Sequence, residues 1–271
     1  MIYTIILINH WEDEVQVYDE KLLTIMSLDA EGILENLSEF KDLMLHYKSA
    51  IRTVRTKLEI LNDELSLKNS RNPIEFVKSR LKKPASIAQK LRRRNLDISV
   101  KSIKENLYDI AGIRVVCSFA DDIYGIANVL ASQDDVEVVE IKDYIKTPKP
   151  NGYSSYHMII KVPIYLHDVK ELIPIELQIR TIAMDFWASL EHKMKYKKSM
   201  DEAPQIINRL KECADSISEI DKKMLEIRKN IHKQINKLGL EIISSWINQD
   251  YCSVGFRLKN SLDSLSESNK Q

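Results

Sequence analysis

The sequence predicts an α/β (α+β) protein: a mixed β-sheet of about five strands, flanked by a long N-terminal and a long C-terminal helix. Three observations lead there. Ten apolar residues from Ile33 to Leu65 recur at alternating steps of four and three, the period of one helix face. A second stripe of the same kind runs from Ile206 to Ile231. Between them, short apolar or alternating runs take turns with helical patterns, as strands and helices do in a layered fold. With only 6 Gly and 7 Pro in 271 residues, a turn-rich all-β fold is disfavoured.

Taken in order, residues 1–28 stand apart as an N-terminal appendage. Their apolar start, Met1 to Ile8, is too short to span a bilayer and lacks the cationic segment of a signal peptide. It meets His10, Trp11, Glu12, Asp13 and Glu14 at once, and Met26 is an alternative start. Residues 29–70 form the first helix, whose seam is Ile33, Leu37, Phe40, Met44, Tyr47, Ile51, Val54, Leu58, Leu61 and Leu65. Asn72-Pro73 ends it, since a residue before proline disfavours the helical conformation.

Residues 71–198 have the texture of a catalytic core. Ile113–Ser118 reads as a buried strand, Asp121–Ser132 as a helix and Val136–Tyr144 as an alternating strand. A loop marked by Pro148, Pro150 and Gly152 follows. Tyr153–Val162 and Ile173–Thr181 read as further strands, and Ile182–Lys195 as a helix. Residues 199–250 are helical, with Pro204 suited to a first turn and Gly239 to a stop. Residues 251–271 are polar and expected to be a loose tail. The two seamed helices either cover the core or each other, or present a subunit interface.

Charge narrows the function. Lys plus Arg and Asp plus Glu each number 40, so the chain is not an indiscriminate nucleic-acid binder, whose affinity rests on neutralising phosphates. The cysteines at 117, 213 and 252 lie far apart, without zinc-ligand spacing. That sparse count suits a reducing cytoplasm, and no later segment is apolar enough for a membrane helix.

Four places carry chemistry. Between Lys78 and Lys104 ten Lys/Arg stand against one acid, Asp97. Within this stretch Ser86, Lys90 and Arg93 share a helix face, with Arg80 and Lys82 just ahead of its positive end. The cluster suits a polyphosphate; an RNA-binding patch or a solvated face would look the same. Asp109, in Asp-Ile-Ala-Gly-Ile-Arg, lies beside a strand start where a carboxylate can help hold Mg²⁺ or pair with Arg114. Strand alternation places Glu176, Gln178 and Arg180 on one face, opposite Ile173, Ile175, Leu177 and Ile179; either a site floor or an open amphipathic strand results. The loop from Lys142 through Lys149 and Asn151 to Tyr153 offers cations and an aromatic ring that can stack a base, and His157 follows on the next strand. GxxxxGK[ST], GxGxxG, GxSxG and HExxH are all absent.

In this order the strings RLKKPASIAQK, DIAGIRV, KDYIKTPKPNGYSSYH, IELQIRT and MDFWASLEHKMKY resemble the synthetase domain of the RelA/SpoT-homologue family, in its small alarmone synthetase branch. The resemblance covers about Asn72 to Lys198 and lacks the His-Asp hydrolase signature of the longer members. It implies a nucleotidyltransferase-like fold and transfer of pyrophosphate from ATP to the 3′-hydroxyl of GDP or GTP, giving AMP and (p)ppGpp. It implies that Arg80, Lys82, Ser86, Lys90, Arg93 and Arg114 serve ATP. Asp109 and Glu176 would bind Mg²⁺, and Glu176 would take the hydroxyl proton. Tyr153 would stack on guanine; Lys142, Lys149, Asn151, His157, Gln178 and Asp185 would serve the acceptor and its phosphates. Asp185 stands where several relatives carry asparagine. A homotetramer in the cytoplasm is implied, with no membrane partner. The competing reading, an RNA- or ribosome-binding module, leaves Glu176, Asp109 and Tyr153 without a role.

Overall fold

The alternation of Ile173, Ile175, Leu177 and Ile179 is what the core is built on. The computed structural model describes residues 30–69, 71–196 and 204–268; the appendage expected at residues 1–28 lies outside them. The elements run α1 (Ala30–Asn69), β1 (Ile74–Leu81), α2 (Pro84–Arg93), α3 (Val100–Asn106), β2 (Ala111–Cys117), α4 (Ala120–Ala131), β3 (Glu137–Asp143), β4 (Tyr156–Tyr165), β5 (Lys170–Thr181), α5 (Ile182–Tyr196) and α6 (Pro204–Ser268). The strands form one sheet in the order β1-β2-β5-β4-β3. Only β2 and β5 pair parallel; the other neighbours are antiparallel.

Register puts the apolar residues on one face. Ile113 lies beside Leu177 and Val115 beside Ile179, while Met158 faces Leu177 and Ile160 faces Ile175. All of them are buried, and α1 covers them with Tyr47, Val54 and Leu58. The seam of α1 is therefore consumed by the core of its own chain, which settles its role as a cover; Ile33 of that seam lies outside the described side chains. The opposite sheet face carries the polar residues of β5.

Three expectations change. β1 is not legible in the sequence, because only Ile74 of its eight residues is fully buried, Val77 and Leu81 pack on the core only in part, and a register shift between Ile74 and Phe76 breaks the period of two. β4 begins at Tyr156 rather than Tyr153, so Tyr153 sits in the loop ahead of the ladder. The helix α6 passes Gly239 and runs to Ser268 where a loose tail was expected. One glycine costs a helix interior about 1 kcal/mol, too little to end a long run of good helix formers. Residues up to Asp221 form one compact unit and those from Lys222 a second.

Candidate active site

Two rows of facing residues cross the polar side of the sheet. In the first, Lys78 of β1, Arg114 of β2, Gln178 of β5, His157 of β4 and Lys142 of β3 stand side by side. In the second, Arg80 pairs with Gly112 and Gly112 with Glu176. Neighbouring strands lie ~4.8 Å apart, so residues far apart in sequence meet over a few ångströms. A cavity of about 170 Å³ opens here, lined by Lys78, Arg80, Gly112, Arg114, Glu176 and Gln178 among others. A Cβ on Gly112 would meet Arg80 at 3.5 Å, an ordinary contact. The glycine is thus not forced by the fold; it leaves the floor open between Arg80 and Glu176.

Glu176 is held by its neighbours on that face. Gln178 Nε2 donates to its Oε2 at 3.2 Å, and His157 Nδ1 lies 3.6 Å from its Oε1. Burial pushes the Glu176 carboxyl up, but His157 and Gln178 outweigh burial and hold it below the ordinary value. A carboxylate kept ionised and close to open space can accept a proton or hold a cation.

Beyond the end of β1, a second cavity of about 250 Å³ is lined by Lys82, Ser86, Gln89, Lys90, Arg93 and Asp109. Ile87, Ala88 and Leu91 of α2 are buried, which turns Ser86, Lys90 and Arg93 outward on the face that the spacing predicted. Lys82 and Lys90 both donate to Asp109 Oδ2 at 2.5 Å. Burial again raises the carboxyl, and the two ammonium groups bring it below its usual range. Asp109 Oδ1 is buried with no hydrogen-bond partner. Arg114, weighed as the structural partner of Asp109, instead reaches Asp185 at 3.2 Å.

Arg180 is 3% exposed and ties Tyr153, Ser155, Gln178 and Asp185 together. Its Nη2 donates to Tyr153 Oη at 2.6 Å and to Gln178 Oε1 at 2.8 Å. Its Nε reaches Ser155 Oγ at 3.2 Å and its Nη1 reaches Asp185 Oδ1 at 3.1 Å. Tyr153 Oη also meets His157 Nε2 at 2.8 Å. The chain from Asp185 through Arg180, Tyr153 and His157 to Glu176 is thus continuous. Lys149 Nζ lies over the rings of Tyr144 and Tyr153, at 4.7 and 4.8 Å from their centroids.

Most of the predicted site residues are brought together, and three have other partners. Asn151 donates to Glu191 at 3.1 Å and accepts from the Tyr153 amide, so it shapes the loop. Lys142 stands in the first row but donates to Glu140 on its own strand. Asp185 accepts from two arginines rather than facing open space. Sequence reasoning counts Lys78 in the basic stretch but does not place it in the row beside Arg114, and it misses Tyr144, whose place beside Tyr153 depends on loop geometry. Trp187, packed edge-on to Tyr153 at 6.4 Å, was readable only as an apolar residue of α5.

Residues 79–201 match the family model described as the region found in RelA / SpoT proteins. The chain is 47% identical to the GTP pyrophosphokinase YwaC of Bacillus subtilis over 195 residues, 72% of this chain and 93% of that protein. The crystal structure of small alarmone synthetase 2 from B. subtilis superposes with a TM-score of 0.64 at 47% identity, over 71% of this chain and 99% of that one. Small alarmone synthetase 1 from the same organism, bound to its product pppGpp, superposes with a TM-score of 0.65 at 34% identity, over 71% and 97%.

Proposed function

Because the chain belongs to the RelA/SpoT family, as a GTP pyrophosphokinase of its small alarmone synthetase branch, we propose a division of labour between its two cavities. The reaction forms a bond from the acceptor's ribose 3′-oxygen, which loses its proton, to the β-phosphorus of ATP, and breaks the bond between that phosphorus and the oxygen bridging it to the α-phosphate, which leaves with AMP. The observation that carries the assignment is the pair of carboxylates held below their ordinary pKa, Asp109 by Lys82 and Lys90 and Glu176 by His157 and Gln178, each lining one of the two cavities. Among the described residues no helix is long and apolar enough to cross a membrane; with these substrates we place the enzyme in the cytoplasm.

The donor belongs in the cavity of α2. Lys82, Ser86, Lys90 and Arg93 converge there, three cations and a hydroxyl suited to a triphosphate. Arg80 and Arg114 line the way to the reacting centre, where they neutralise charge that grows in the transition state. The acceptor belongs on the Tyr153 side. Its base stacks on the tyrosine ring, and Lys149, His157 and Lys142 face its phosphates. Glu176 takes the proton of the attacking 3′-hydroxyl. Gln178 and His157 keep Glu176 aimed, and Asp185 orders Arg180 and Arg114.

Magnesium fits these residues. Asp109 offers a buried oxygen without a protein partner, Glu176 is ionised, and Mg²⁺ usually takes one or two carboxylates together with phosphate oxygens. Asp109 and Glu176 would hold the ion, which would supply further charge neutralisation for the donor's phosphates. The exposed stripe of α6 supports a homo-oligomer, which we take to be the tetramer that the family resemblance implies.

Incubation with ATP, GDP or GTP, and Mg²⁺ followed by nucleotide chromatography tests the reading. AMP and ppGpp or pppGpp appearing in equal amounts is the expected result; ADP and phosphate without alarmone would refute it. An RNA-binding module would give neither.

A further inference from the structure

We propose that the first turns of α6 are a positioning element for the acceptor platform, acting through Ala214 and Asp221. This rests on the acceptor assignment of Tyr153 made above. The helix lies outside every motif that carries the chemistry, yet three contacts bring it to that tyrosine.

The first is the close approach of the loop backbone to α6. Gly152, directly ahead of Tyr153, has φ +87°, and a Cβ built on it would stand 2.4 Å from Ala214 Cβ and 3.2 Å from Lys211 Cα. The turn of the loop is seated on α6 with no room for a side chain, and that positive φ itself favours glycine. The second contact fixes the apolar wall. Trp187 Nε1 donates to the Leu210 carbonyl at 3.1 Å. Trp187, Ala188 and Ala214 form a small buried cluster against which Tyr153, Leu210 and Ile217 pack.

The third contact reaches Tyr153 from its far end. The fully buried Thr181 accepts from the Met184 amide, capping the start of α5, and its hydroxyl donates to Asp221 Oδ2 at 2.7 Å. Thr181 follows Arg180, which holds the Tyr153 hydroxyl at 2.6 Å. Both the backbone and the hydroxyl of Tyr153 are therefore referred to α6, one through Gly152 and Ala214, the other through Arg180, Thr181 and Asp221. A half-buried carboxylate whose burial raises its pKa is a costly residue to keep there merely as helix surface.

The test compares Asp221→Ala, Asp221→Asn and Ala214→Val in the full chain, with separate KM values for GDP and ATP. Asp221→Ala should raise the KM for GDP roughly 2- to 12-fold, the worth of one hydrogen bond, with the KM for ATP within twofold of wild type. Asp221→Asn keeps an oxygen that accepts from Thr181 and should restore most of the loss, which a change in folding alone would not produce. Ala214→Val pushes on the Gly152 turn from a separate point and should show the same split. Should Asp221→Ala fail to fold, Ala214→Val decides. KM values for GDP and ATP that rise together, an unchanged KM for GDP, or no rescue by asparagine would overturn the proposal while leaving the synthetase reading intact. A wild-type chain that makes no alarmone would overturn both.

Discussion

Asp109 and Glu176 are both buried enough to prefer the neutral form, and both are held ionised by neighbours. For Asp109, burial is outweighed by Lys82 and Lys90; for Glu176, by His157 and Gln178. A folded-state pKa below the unfolded one contributes stability above the ordinary carboxylate range and loses it as pH falls through the lowered value. The acid limb of kcat/KM should accordingly lie below about pH 4, the ordinary range for these groups, with thermal stability falling in the same window; an acid limb above pH 5.5 would show that neither carboxylate controls it. Replacing either by alanine should cost ~10²- to 10⁴-fold in turnover, the usual worth of a positioned base, while circular dichroism stays native. Turnover within threefold of wild type would remove that residue from the site. Tyr153→Ala should raise the KM for GDP about 5- to 150-fold, matching the ~1–3 kcal/mol of base–aromatic stacking, with ATP nearly unaffected. A selective loss of ATP affinity would move the tyrosine to the donor. The face shared by Glu176, Gln178 and Arg180 was legible because a strand repeats every two residues. The partners of Asp185 were not, since they arrive from β2 and β5 through register that no local pattern encodes.

At the level of elements, two helices with the same apolar period meet different ends. The seam of α1 vanishes beneath the sheet, with Val54 and Leu58 fully buried, whereas on α6 Ile220, Met224, Ile227 and Ile231 are all more than half exposed. Periodicity reveals which residues share a face and is silent about what covers it, so the sequence could only hold both outcomes open. The difference is measurable. Leu58→Ala should destabilise the fold by ~2–5 kcal/mol, as buried leucine truncations do, read as a lower midpoint in denaturant with little change in slope. A loss under 1 kcal/mol would mean that α1 covers the sheet only loosely. β1 marks the opposite limit of legibility. Its residues Lys78 and Arg80 line the cavity and stay exposed at a sheet edge, and that exposure, with the shift of register after Ile74, hides the alternation that reveals a strand.

At the scale of the whole molecule, a neutral chain concentrates cations between Lys78 and Lys104 and, among the described residues, carries a stripe of exposed apolar side chains along α6. The first is the charge that a polyphosphate asks for. The second needs a partner, because Met224 and Ile231, 52% and 51% exposed, belong to a seam whose regular spacing is that of one helix packing on another. Closed assemblies with self-complementary patches are the usual outcome for such surfaces, so we expect a homo-oligomer in which α6 meets α6 of another copy. Introducing aspartate at both Met224 and Ile231 would place unpaired charges in that contact. Light scattering should then show smaller particles whose helical circular dichroism is retained, since neither residue supports the sheet of its own chain. Loss of the fold without a stable smaller species would mean instead that the seam is covered within one chain. A wild-type protein that is monomeric at micromolar concentration would end the oligomer expectation, and the catalytic assignment, which draws on no residue of a second copy, would stand.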